Sequence, residues 1–186
     1  MSFVDLLSGS FTPDTVATIA SRMGVDNAQA KKALWVALPA LINGLKKNSE
    51  TPEGADSLNA ALEEHGDDSD DIVEVVTNGR AKKGDKIASH ILWDSTNNLV
   101  QAMSTKAGID STKAQSLLEG LGPVVMGALW KAKKAEWFSA NNISKILSGE
   151  SWNIMKTVGG IFDQDGDGDF DISDALKIGV NFLQKK

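Results

Sequence analysis

Twelve residues near the C-terminus, Asp163-Gln-Asp165-Gly-Asp167-Gly168-Asp169-Phe170-Asp171-Ile172-Ser173-Asp174, form the one stretch whose spacing specifies a chemistry. A hard divalent cation takes about six to eight oxygens, and a 12-residue loop supplies them from positions 1, 3, 5, 7, 9 and 12, with glycine at 6 for the sharp turn. Here those positions are Asp163, Asp165, Asp167, the backbone carbonyl of Asp169, Asp171 acting directly or through water, and Asp174. Gly168 occupies position 6. Apolar Phe170 at position 8 can turn inward beneath the ion. Calcium is the expected occupant. Position 12 is usually glutamate, and the shorter Asp174 leaves magnesium, which takes a tighter octahedral shell, as the alternative.

Six carboxylates in 12 residues repel one another without a counter-ion, so the ion is expected to order the C-terminal helices. That is a structural role. The alternative is a calcium-responsive interaction module, in which the same event exposes or hides an apolar face for a protein partner. Sensors of that kind open a methionine-rich groove, whereas this segment holds one methionine, Met155, and no second loop to pair with. An enzyme ranks third. Nucleophile–base chemistry has only His65 and His90 to draw on, and Gly159-Gly160 lacks both the preceding strand and the following Lys-Ser/Thr of a phosphate loop. His90 reads as a core or boundary residue and His65 as a helix terminus.

The chain of 186 residues is long enough for a sizeable core. It has no cysteine, which excludes disulfides, thiolate zinc sites and cysteine nucleophiles. Its first residues do not form a secretory signal and no segment approaches the length of a membrane span, so a soluble cytoplasmic protein is expected. The net charge of −6 comes from the loop: setting its six aspartates aside leaves 19 acids against 19 bases. So balanced a body is not the basic surface that binds nucleic acid. The clusters Arg80, Lys82, Lys83, Lys86 and Lys131, Lys133, Lys134 read as solvated faces. Of the five tryptophans, most read as packing, and Trp137-Phe138 is the best candidate for an exposed binding surface.

The elements that must position the loop are helical. Phe3, Val4, Leu6 and Leu7 suit a short docking helix. Thr12-Pro13-Asp14 starts the next with a cap, a proline at the first helical position and an acid at the positive end of the dipole. It runs to about Met23 and stops at Gly24. Asp26 or Asn27 then caps a helix carrying Ala30, Leu34, Leu38, Leu41, Ile42 and Leu45 at helical spacing. Pro39 lies inside it and predicts a kink. Thr51-Pro52-Glu53 repeats the start signal for a helix over 53–64, and Asp67 to Asp71 would cap one over 70–77. The segment from Asn78-Gly79 through Gly84-Asp85 reads as a surface loop. Apolar residues return from Ile87 to Trp93 and from Asn98 to Ala107. Trp152, Met155, Val158, Ile161 and Phe162 precede the cation loop, and Leu176, Ile178, Val180, Phe182 and Leu183 follow it.

Residues 100–131 align with 16–47 at a constant offset of 84, pairing Gly24 with Gly108, Asp26 with Asp110, Leu34 with Leu118 and Pro39 with Pro123. This is an internal duplication. One copy cannot bury its apolar stripe alone, so Ala40-Leu-Ile42 and Val124-Val-Met126 belong at the centre of a shared core. The expected fold is all-α: a multihelical body of two related units over 1–138, then a C-terminal helix-loop-helix over 139–186.

Thr51-Pro-Glu-Gly-Ala55, Ile87-Ala-Ser-His-Ile91-Leu92 and Gly122-Pro-Val-Val-Met126-Gly127-Ala128-Leu129 resemble motifs of the YidB-like bacterial proteins, a family catalogued as a domain of unknown function. The resemblance spans about residues 4–134 and implies a compact all-helical body of bacterial origin without an established reaction. The C-terminal stretch is similar to the EF-hand and, in ending its loop on Asp, to dockerin repeats. A dockerin carries two such loops and this chain one, so cohesin binding is not implied.

Overall fold

The computed structural model describes residues 3–65, 72–78, 81–92, 95–136 and 147. Among these there are eight helices and no strand: α1 (Phe3–Ser10), α2 (Pro13–Met23), α3 (Asn27–Asn48), α4 (Pro52–His65), α5 (Ile72–Asn78), α6 (Ala81–Leu92), α7 (Thr96–Ala107) and α8 (Ser111–Glu136). The fold is all-α.

Local chemistry sets most helix ends. The Thr15 amide donates to Thr12 Oγ1 at 3.2 Å, which satisfies one of the free amides of α2, and Pro13 occupies a position that needs no donor. Gly24 ends α2 with φ of 62°, a left-handed conformation that costs a side-chain-bearing residue about 1–2 kcal/mol. At Asp26 the capping box is complete: the Gln29 amide donates to Asp26 Oδ1 at 2.7 Å and the Asp26 amide to Gln29 Oε1 at 3.1 Å.

The same devices recur 84 residues later. Gly108 ends α7 with φ of 66°, and the Lys113 amide donates to Asp110 Oδ1 at 2.9 Å to start α8. The two units also exchange side chains. Gln29 Nε2 donates to the Gly108 carbonyl at 2.8 Å, and Lys113 Nζ donates to the Gly24 carbonyl at 2.6 Å. Gln29 and Lys113 are partners in the duplication, as are Gly24 and Gly108, so each unit caps the other's helix end. Pro39 and Pro123 both lie inside long helices whose helical conformation continues through them. The predicted core positions agree: Leu41 and Val125 are fully buried, and Ala40, Ile42, Val124 and Met126 are buried with them.

The equivalence is local. α3 packs along α7, whereas α2 packs on α3 and α5, and α8 packs on α5 and α6. Glycines let these backbones approach. A Cβ on Gly120 would lie 2.5 Å from the Cα and carbonyl oxygen of Val76 in α5, and one on Gly44 would lie 2.6 Å from the Ile91 carbonyl oxygen in α6. α1 and the residue after it complete the body by laying Phe3, Leu7 and Phe11, spaced at four residues, into the core. Leu147, beyond the end of α8, is fully buried in the same core.

Two expectations need correction. The loop expected over 78–85 is helical from Ala81 onward. Gly84 costs a helix only about 1 kcal/mol relative to alanine, and burial of Ala88, Ile91 and Leu92 outweighs it. His90, read as a core or boundary residue, is exposed, because it falls between the buried positions 88 and 91 on the outer side of α6.

Gly120→Ala should destabilise the protein by about 1–3 kcal/mol in urea unfolding, since the added carbon meets backbone rather than a movable side chain. Gly9→Ala is the control. A Cβ there meets nothing within 4 Å, so within a helix the change should be neutral or stabilising by about 0.5–1 kcal/mol.

Candidate metal centre and the polar seam of the body

The six predicted ligands, Asp163, Asp165, Asp167, Asp169, Asp171 and Asp174, lie outside the described residues. So do Trp93, Trp137, Phe138, Trp152 and the acidic run from Asp67 to Asp71. Among the described residues no three His, Asp or Glu side chains come together in a way that could hold an ion. The donor chemistry of the loop is all oxygen and mostly anionic, which suits calcium or magnesium and no softer metal.

The described polar groups cluster instead along the seam between α4 and α8. Lys133 Nζ donates to Asn59 Oδ1 at 2.5 Å and to Glu63 Oε1. One turn apart on α8, Lys134 Nζ stands 4.0 Å from the centroid of the Trp130 ring. The expected solvated face of Lys131, Lys133 and Lys134 is therefore only partly so: Lys131 is exposed, Lys133 clamps α4, and Lys134 covers a half-buried tryptophan. Trp35 is buried within α3, in line with a packing role. The lysine clamp joins residues 70 and 74 apart in sequence, and no local signal could have disclosed it.

The turn from α3 into α4 shows what the first family-like motif does. Thr51 Oγ1 accepts from the Gly54 amide at 3.1 Å, Pro52 opens the helix, and Ala55 is buried. At Gly54 a Cβ would lie 1.9 Å from the Asn48 carbonyl oxygen, so only glycine fits. Asn48 in turn reaches α6, its Nδ2 donating to the carbonyls of His90 at 3.1 Å and Ile91 at 3.3 Å. This side chain supplies donors to carbonyls in the last turn of α6. The other two motifs lie where α6 meets α8. A Cβ on Gly122 would lie 3.1 Å from Ile87 Cγ2, and the residues from Val124 to Leu129 are buried. All three motifs contribute turns or packing contacts to the body.

The Lys133 hydrogen bond and charge, with a smaller contribution from Lys134, hold the Glu63 carboxyl below the usual glutamate range. A depressed carboxylate adds stability that is complete above its unfolded-state value and lost as pH falls through the lower folded value. Carboxyl-detected NMR titration should find Glu63 titrating below an ordinary glutamate, and Lys133→Met should move it back up. An unchanged titration in that variant would remove the clamp from the account.

Residues 5–132 match the family model described as bacterial protein of unknown function (DUF937). The match ends before the aspartate loop begins. No curated protein and no solved structure matches the chain.

Proposed function

The chain belongs to the bacterial family of unknown function DUF937, and we propose that it joins this helical body to one calcium site at 163–174, whose ion orders the C-terminal segment. The observation that supports this reading is the ligand register: aspartates at positions 1, 3, 5, 7, 9 and 12 of the loop, with glycine at 6. Asp163, Asp165 and Asp167 supply carboxylates from the first half of the loop, Asp169 a backbone carbonyl, and Asp171 and Asp174 the remainder. Their combined charge makes ion-free closure unfavourable, and a bound dication offsets it. No reaction is assigned, and magnesium is the alternative occupant.

The role proposed is that of a structural clamp. A single loop with one methionine in its flanks has neither the paired partner nor the adaptable apolar groove of a sensor.

Titration calorimetry on the full chain should give one calcium per chain, and Asp163→Ala should abolish the heat or weaken it severely. Absence of heat in the wild type, or wild-type binding in the variant, would refute the site. Calcium should also lower the signal of an apolar dye, because a clamp covers its own apolar residues. A rise would mark a sensor and a protein partner.

A further inference from the structure

α4 is held to the body by unlike means at its two ends. At its start Thr51 supplies the cap, and Gly54 approaches the Asn48 carbonyl so closely that a Cβ there would stand 1.9 Å from the oxygen. Asn48 in turn donates to carbonyls in the last turn of α6, so the first turn of α4 is tied to both α3 and α6. Farther along, Leu58 and Leu62 are buried in the core, and Lys133 of α8 reaches up to donate to Asn59 Oδ1 at 2.5 Å and to Glu63 Oε1.

The two charges of this latch are unequally covered. The Lys133 side chain is 13% exposed and that of Glu63 63% exposed. Solvent protons therefore reach the acid freely while the base stays under α4. An ammonium so covered has given up much of its water and relies on its acceptors. Protonating Glu63 removes the negative charge and leaves the lysine with neutral acceptors.

We propose that α4 from Asn59 to its C-terminal end is an acid-released strap: neutralising Glu63 loosens it from α8 and uncovers Leu62, while the first turn keeps its hold on Asn48. Linkage fixes the direction. The Lys133 hydrogen bond and charge, and to a lesser degree Lys134, hold the closed-form carboxyl below the usual range, to which it returns when the strap opens. Protons then bind the open form more readily, so its population rises as pH falls through the ordinary glutamate range and levels off below the closed-form value. The other titratable groups on the neighbouring turns are Lys131 on α8, Lys46 and Lys47 in the last turn of α3, and Glu53, Asp56, Glu64 and His65 on α4 itself. All of these remain in Glu63→Gln, which isolates the contribution of Glu63. The strap uses no residue of the ion site.

Amide exchange of the full chain, read by NMR and corrected for the pH dependence of intrinsic exchange, tests the strap near neutrality and at about pH 4. In the wild type, the opening equilibrium of amides from Asn59 to the end of α4 should rise about 2- to 4-fold in acid relative to amides around the buried Met103 of α7. Glu63→Gln should raise the same amides already at neutral pH and abolish their acid response. Lys133→Met, which leaves no covered cation, should abolish the acid response as well. Equal acid responses in α4 and α7 would mean that the body loosens as a whole, and an undiminished α4 response in Glu63→Gln would assign it to another group. Either result, or no acid response in wild-type α4, would overturn the strap.

Discussion

Backbone approach at Gly44, Gly120 and Gly122 is the constraint on which the body depends. Two long helices, α3 and α8, each carry an apolar run through a proline, and shorter helices must lie close enough to exclude water from both. α6 reaches α3 at Gly44 and α8 at Gly122, and α5 reaches α8 at Gly120. A methyl group at 44 or 120 would meet backbone atoms at 2.6 Å or less. Dense interiors transmit such a clash rather than absorb it. The duplicated units are thus alike in their caps and prolines and unlike in what crosses them: Gly120 faces α5 where its duplicate is Val36, and Gly44 faces α6 where its duplicate is Ala128.

Cap chemistry joins the two units at the opposite extreme of scale, through four polar groups. Gln29 and Lys113 each leave their own helix start to reach the glycine that ends the other unit's preceding helix. The lysine carries its charge to the negative end of α2, a favourable placement for a cation. An amide stands in the equivalent place opposite α7, so the exchange keeps its geometry while the charge differs. Together with the Asn48 side chain at the end of α6, these contacts supply donors to helix-end carbonyls.

Features written in a few adjacent residues were legible in the sequence. The Thr12-Pro13 start and the Asp26 cap follow from side chains bonding amides three residues on, and the stops at Gly24 and Gly108 follow from glycine's access to left-handed backbone. The offset of 84 foretold the buried centre of both long helices. The start of α6 was missed because Asn78-Gly79 and Gly84 are local turn signals, while what holds the helix is the burial of Ala88, Ile91 and Leu92 between α3 and α8. His90 was misplaced for a related reason: an apolar stretch does not fix which side of the helix a polar residue takes. The clamp of Lys133 on Asn59 and Glu63 depends on tertiary placement and leaves no trace in spacing. The candidate cation loop was readable for the opposite reason, since its ligand register is written in twelve adjacent residues.

The family-like motifs separate architecture from activity. Thr51 to Ala55, Ile87 to Leu92 and Gly122 to Leu129 contribute turns and contacts inside the body, and the ion site proposed for the chain lies beyond residue 132. Native mass spectrometry of the full chain in the presence of calcium tests that division most directly. The account predicts one retained calcium per wild-type chain and none in Asp163→Ala/Asp165→Ala, with the helical circular dichroism of the body preserved. Equal calcium retention by the two proteins would contradict it.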